Sequence, residues 1–216
     1  IYTTLYSVLD KVIEKGSESD AETYSLVLID TLTKIENNGD KITQLANSLV
    51  GSQTRSTLRL KLIIHLLNAI ESTNGQHFKL FIQTLQYAKD TKQTDNVAKY
   101  ASVIEQMLNE WNAAAVDRRR VYSLFFDILS ESQQSEAANE VLIKYLSSYT
   151  QEKDLTDATL DYAAKAVSNA IKTLYSFEEL NSLVAVQQLA KKNAPVYELV
   201  KIFANGTLSD YLKYAQ

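Results

Sequence analysis

The residues best suited to metal or nucleophilic chemistry are scarce in this chain. It contains two histidines, His65 and His77, and no cysteine. A helical zinc site needs histidines one turn apart, and a carboxylate-bridged metal centre in a helix bundle needs a repeated Glu-x-x-His pattern. Neither spacing occurs, so the sequence predicts no metal site. The lack of cysteine also excludes disulfides and thiolate nucleophiles, which fits a reducing, cytoplasmic location.

The two histidines have simpler interpretations than catalysis. His65 lies inside the most apolar stretch of the chain and is expected to be packed or to line a groove, whereas His77 falls in the first turn of a predicted helix and is expected to face solvent. The five glycines are scattered rather than clustered into a phosphate-binding loop. No serine lies in a nucleophile elbow. The sequence therefore predicts a protein that is not an enzyme, with no catalytic residue and no cofactor.

The sharpest charged feature is the run Arg118, Arg119 and Arg120, which falls near the start of a predicted helix. The helix macrodipole disfavours cations at this end, so the run breaks a local rule. It is a candidate docking point for an acidic protein or for ribosomal RNA. The alternative is a solvated turn whose side chains reach Asp117 and neighbouring acids.

The remaining charges and aromatic residues are less specific. A net charge of -4, from 22 basic and 26 acidic residues, argues against nucleic-acid binding through the whole surface. The chain has thirteen tyrosines and six phenylalanines. Because tyrosine has a polar hydroxyl, it suits half-buried positions in groove walls and interfaces, and this ratio favours a binding scaffold. A second basic cluster, Arg55, Arg59 and Lys61, is interpreted as the solvated edge of its helix.

These candidates must be positioned by helices, because apolar residues recur at helical spacing from end to end and no segment alternates as a strand would. One proline and five glycines are too few for the turns of a β-rich fold. Short loops place consecutive helices antiparallel. The predicted fold is therefore all-α, a right-handed α-solenoid of stacked antiparallel helix pairs, in one continuous domain over residues 1–216.

Helix ends are predicted from capping residues. Glycines, including those in the Asn-Gly pairs, are expected to supply left-handed backbone at helix ends. Asp117 and Ser135 are expected to cap the helices that follow them, and Thr207 with Asp210 has the spacing of a capping box. Residues 177–189 are expected to form one kinked helix or two short ones.

The C-terminal helix is predicted to have an apolar face, formed by Leu208, Tyr211, Leu212 and Ala215. Part of this face is expected to stay exposed and to drive partner binding or self-association. The chain begins at Ile1 without a methionine, and it is expected to be a fragment of a longer protein.

Several segments carry a family resemblance. The stretch 55–70, RSTLRLKLIIHLLNAI, resembles the Arg-Ser-Leu-Arg-Leu helix of the subunit m family of eukaryotic translation initiation factor 3. The stretches 135–150 and 208–216, SEAANEVLIKYLSSYT and LSDYLKYAQ, are similar to two later helices of that family, in the same order. The pair Trp111-Asn112 also falls where that family has Trp-Asn. The resemblance extends from near residue 55 to the end of the chain.

The resemblance implies a PCI-class protein, of which this chain is the N-terminal helical-repeat portion without the winged helix. It implies a non-enzymatic scaffold subunit that supports recruitment of the small ribosomal subunit and mRNA. The implied partners are other PCI and MPN subunits and the small ribosomal subunit, with no membrane and no small-molecule substrate. The alternatives are a PCI subunit of the proteasome lid or COP9 signalosome, and a helical-repeat adaptor that binds peptides in a groove lined by tyrosine and asparagine.

Overall fold

The computed structural model describes residues 1–71, 75–173 and 177–215. Across these ranges every regular element is a helix, which confirms the prediction of an all-α fold of packed helices. The chain forms two compact units, Ile1–Ala113 and the residues from Ala114 onward. The single continuous domain and the right-handed solenoid stay predictions. Of the helices described, none is both long and apolar enough to cross a membrane.

The first unit is built around one central helix, α4, which packs against α2, α3 and α5. Apolar residues of α4 are buried on several of its sides, as in a helix enclosed by neighbours. Each buried leucine or isoleucine contributes about 1.5–3 kcal/mol relative to an exposed one. The helices of this unit are α1 (Tyr2–Lys15), α2 (Glu18–Thr33), α3 (Gly39–Val50), α4 (Ser56–Ala69), α5 (Gly75–Asp90), α6 (Asp95–Ala98) and α7 (Ile104–Glu110), with a 3-10 turn at Lys99–Val103.

In the second unit the long helices pack in chain order, α8 on α9 and α9 on α10, and the shorter helices follow. Phe125 and Leu129 of α8 are fully buried, as are Leu142 and Leu146 of α9. Further along, α14 contacts α11, α13 and α15. The helices are α8 (Ala115–Glu131), α9 (Ser135–Ser147), α10 (Asp157–Thr173), α11 (Phe177–Ser182), α12 (Val184–Gln187), α13 (Leu189–Lys192), α14 (Ala194–Asn205) and α15 (Leu208–Tyr214).

The glycines end helices by a different route from the predicted one. None of the five has a positive φ, and the left-handed positions are occupied by Asn37, Arg55, Lys92, Asn112 and Gln133. Gly16 and Gly206 follow α1 and α14 with extended backbone. A Cβ at either position would lie 2.7 Å from the carbonyl oxygen four residues earlier. Glycine is therefore favoured at these positions because the preceding helical turn leaves no room for a Cβ, and not because the backbone is left-handed.

Of the three predicted N-terminal caps, one is confirmed. Thr207 and Asp210 form the expected capping box at the start of α15. The other two predictions are wrong. Asp117 lies in the first turn of α8, three residues after the cap residue Ala114, and Ser135 is the first residue of α9 rather than its cap. Residues 177–189 form parts of three short helices rather than one or two.

Candidate interaction surfaces

The arginine run lies in the first two turns of α8, and its three side chains have different environments. Arg119 is half-buried. Its Nη2 donates to the Ser148 carbonyl at 2.8 Å, and its Nε donates to Ser148 Oγ at 3.2 Å. The guanidinium also lies 3.9 Å from the centre of the Tyr149 ring. Since Ser148 follows the last residue of α9, Arg119 closes the C-terminus of that helix, where a cation is favoured.

The other two arginines of the run differ in exposure. Arg120 is exposed and Arg118 is half-buried. Their role in docking stays a prediction, and the contacts of Arg119 identify it as a structural member of the run. The alternative in which all three side chains form a solvated turn is wrong for Arg119, because the end of α9 lies within its reach.

The contact of Arg119 continues into a cluster of tyrosines. The Tyr149 hydroxyl donates to Tyr145 Oη at 3.0 Å, and Tyr145 Oη lies 3.4 Å from Thr159 Oγ1 on α10. Burial raises the pKa of Tyr145 to about 12. The Tyr145 phenol therefore stays protonated, and its contact with Thr159 joins α9 to α10.

The end of α14 and helix α15 carry exposed apolar side chains. Leu208, Leu212, Phe203 and Tyr211 are 74%, 55%, 43% and 40% exposed. The ring of Phe203 stacks on Phe177 at 4.8 Å and meets Tyr211 edge-on at 5.8 Å. We call the four exposed residues the C-terminal apolar patch. Its exposure agrees with the amphipathic pattern of the sequence, and its role in binding stays a prediction.

Within the second basic cluster, Arg59 is not part of a solvated edge, since it is only 1% exposed. Its Nε donates to the Thr54 carbonyl at 3.0 Å and its Nη1 to the Ser48 carbonyl at 3.1 Å. Its Nη2 donates to Asp10 Oδ1 at 3.2 Å. The planar fork of a guanidinium reaches several acceptors at once, so this one side chain ties α1 and the end of α3 to α4.

Arg55 has a similar role just before α4. Its Nη1 donates to the carbonyls of Ile13 and Gly16, at 2.6 and 2.7 Å, at the C-terminus of α1. Lys61, by contrast, is 48% exposed and pairs with Glu22 at 2.7 Å, as expected for a solvated edge. The interpretation was therefore right for Lys61 and wrong for both arginines. The two arginines donate to carbonyl oxygens at the C-terminal ends of other helices, α1 for Arg55 and α3 for Arg59.

A signal in the sequence could have indicated that Arg59 is buried. Ile63 and Leu66 lie four and seven residues further on and share its face of α4, and both are fully buried. An arginine in the apolar stripe of a helix indicates that hydrogen-bond acceptors lie in the protein interior beside it, because an unpaired buried charge is costly.

His77 is buried rather than solvated, with 8% of its surface exposed. The ring of Trp111 covers it at a centroid distance of 5.2 Å, and Trp111 also packs on Phe81 at 5.0 Å. Burial lowers the pKa of His77, and a hydrogen bond with the Leu67 backbone partly offsets that effect. The prediction of a solvated residue was wrong because the first turn of α5 is covered by an aromatic ring from 34 positions later in the sequence.

His65 is half-buried on α4 and lines a cleft, as predicted. Its Nε2 lies 3.5 Å from Glu22 Oε1, which is an ion-pair distance but too long for an aligned hydrogen bond. The hydrogen bond from Lys61 lowers the pKa of Glu22. Within the described ranges, no group of three or more histidine, aspartate or glutamate side chains is placed to hold a metal ion.

Comparison with known proteins supports the resemblance seen in the sequence. No family model matches the chain. It is 29% identical to eukaryotic translation initiation factor 3 subunit M of Dictyostelium discoideum, over 94% of this chain and 52% of that protein. The subunit M proteins of Xenopus laevis and Nematostella vectensis are each 26% identical, over 96% and 78% of this chain and 54% and 44% of those proteins.

The chain thus spans about half the length of the curated relatives it matches. The predicted resemblance to subunit M is confirmed. It also includes much of the first 54 residues, where no sequence motif had indicated it, because the alignment to the Dictyostelium protein covers 94% of the chain.

Proposed function

We propose that this chain is the helical-repeat part of a subunit M-type protein and serves as a non-enzymatic scaffold in a cytoplasmic eukaryotic translation initiation factor 3 complex. The observation that carries the proposal is the similarity to proteins named subunit M of that factor over 94% of this chain. Arginines that donate hydrogen bonds to helix ends suit this role, because a scaffold needs rigid helices that present fixed surfaces. No catalytic step is assigned to it.

The proposed partners are other PCI and MPN subunits, and the small ribosomal subunit and mRNA are reached through the complex. Two surfaces are the proposed contact sites. One is the arginine run at Arg118 and Arg120, of which Arg120 is exposed, for an acidic protein or ribosomal RNA. The other is the C-terminal apolar patch, whose residues Leu208, Tyr211 and Leu212 would pack against another subunit or against the winged helix implied by the resemblance.

Affinity purification tests the proposal. A tagged chain is expressed in eukaryotic cells, and its bound proteins are identified by mass spectrometry. We expect subunits of initiation factor 3 in near-stoichiometric amounts. Recovery of proteasome-lid or signalosome subunits instead would favour the alternative PCI assignment, and recovery of none of these would contradict a scaffold role.

Matched variants in the same experiment test the C-terminal apolar patch. Changing Leu208, Tyr211 and Leu212 to serine should reduce recovery of the partners. Val116→Ser is the control, since Val116 is 72% exposed in the same unit but lies on α8. Equal recovery by both variants would show that assembly does not use the patch.

A further inference from the structure

A cleft of about 330 Å³ lies in the first unit, along one side of α4. Thr57, Lys61, Ile64 and Asn68 recur at intervals of three or four residues, so they form one stripe, and Asn96 of α6 forms the other wall. From residue 57 to residue 68 the stripe extends about 16 Å at 1.5 Å per residue. That length matches about five residues of an extended peptide.

The charges in the cleft are already compensated. Lys61 Nζ lies 2.7 Å from Glu22 Oε2, so its positive charge has a partner on α2. Binding of a nucleic acid depends on several lysines or arginines that neutralise phosphates. A cleft whose single ammonium is paired does not meet that requirement. Its chemistry suits a ligand recognised by neutral hydrogen bonds.

The side chains that supply neutral hydrogen bonds are available. Thr57, Asn68 and Asn96 are exposed, and their side chains make no hydrogen bond within the described chain. Each asparagine amide offers two N–H donors and one carbonyl acceptor, which matches the C=O and N–H of a peptide unit.

His65 adds a further polar group to the same cleft. Its Nε2 is shielded from solvent and faces Glu22, although the side chain is 35% exposed, so the exposed surface belongs to the rest of the ring. An imidazole ring can donate or accept a hydrogen bond, so His65 adds a further polar group to the lining of the cleft.

We propose that this cleft binds an extended, uncharged peptide segment of a partner protein. The amides of Asn68 and Asn96 pair with its main chain, and Ile64 packs against one of its apolar side chains. Main-chain pairing supplies the affinity and the apolar contact supplies the sequence preference. This binding does not depend on assembly into an initiation factor, so it is tested with the chain alone.

The test begins with random peptides of about twelve residues displayed on phage, selected on the immobilised chain. The most enriched sequence is synthesised with a fluorophore, and its Kd is measured by anisotropy. We expect the double variant Asn68→Ala, Asn96→Ala to raise the Kd at least about tenfold. Thr57→Arg, which fills the cleft without removing an amide, should do the same.

The control is Asn205→Ala, an exposed asparagine in the other unit, which should leave the Kd unchanged. Circular dichroism checks that each variant folds, as expected for substitutions at exposed positions. The proposal is overturned if no peptide is enriched, if the double variant binds as tightly as the original chain, or if a single-stranded RNA displaces the peptide.

Discussion

Replacing Arg59 by alanine tests whether one buried guanidinium holds the first unit together. The side chain is 1% exposed, and it donates to the carbonyls of Thr54 and Ser48 and to the carboxylate of Asp10, at 3.0, 3.1 and 3.2 Å. Alanine removes all three hydrogen bonds together with the packing of the aliphatic stem. We expect the first unit to unfold at markedly lower denaturant concentration.

The magnitude follows from the exposure of the three acceptors. A hydrogen bond from a charged donor contributes about 1.5–3 kcal/mol. Thr54 is exposed and the Asp10 side chain is 59% exposed, so water replaces Arg59 at those two acceptors and their contributions are small. Loss of the bond to Ser48 and of about three buried methylene groups, at about 0.8 kcal/mol each, gives about 4 kcal/mol in total.

Urea denaturation followed by the fluorescence of Trp111 measures this loss. Trp111 is the only tryptophan of the chain and lies in the same unit as Arg59. With an m-value of about 2 kcal/mol/M, the midpoint should fall by about 2 M. Arg59→Lys keeps the charge but loses the planar fork, so its midpoint should fall between the two.

Asp10→Ala serves as the control, because removing the exposed partner of this ion pair should cost less than about 1 kcal/mol. The reasoning is refuted if Arg59→Ala lies within about 1 kcal/mol of the unmodified chain. It is also refuted if Asp10→Ala is equally destabilising, since the ion pair would then carry the effect assigned to the contact with the Ser48 carbonyl.

Four further predictions concern helix contacts, helix ends and the exposed patch. Burial lowers the pKa of His77 in the folded chain, so as the pH falls the unfolded chain takes up a proton at this histidine before the folded chain does. The contribution of His77 to the free energy of unfolding is therefore complete above pH 6.5 and decreases below it. In thermal melts followed by tryptophan fluorescence, His77→Phe should remove this decrease, and an identical pH profile would contradict the assignment. Arg119→Glu should lower the free energy of unfolding by about 1–3 kcal/mol and Arg120→Glu by less than about 0.5, as measured by urea denaturation, so equal effects would show that the contact with α9 is unimportant. Gly206→Ala should lower the melting temperature, since its Cβ would lie 2.7 Å from a backbone oxygen, whereas Gly75→Ala, with no atom within 4 Å, should not; equal melting temperatures would argue against close approach. Serine substitutions in the C-terminal apolar patch should reduce concentration-dependent sedimentation of the chain, and a chain that is monomeric before any substitution would show that the patch does not drive self-association.

Features that depend on nearby residues were predictable from the sequence. The periodicity of apolar residues indicated an all-helical chain, because the 3.6-residue repeat alone decides which face of a helix can be buried. The capping box of Thr207 and Asp210 was predicted correctly for the same reason, since both partners lie within one turn. The apolar face with Leu208 and Leu212 also follows from spacing within one helix, whereas its exposure depends on what packs against it.

Features that depend on distant residues were decided by the tertiary structure. Arg59 meets Asp10 across 49 positions, Arg119 meets Ser148 across 29, and His77 is covered by Trp111. Whether a polar side chain is solvated or buried depends on whether packing brings an acceptor or an aromatic ring to it, because burying a polar or charged group is costly unless such a partner is present. The residue types and their spacing determined the helices and their apolar faces. Only the packing of those helices decided which arginines bind helix ends and which, like Arg120, lie exposed at the surface.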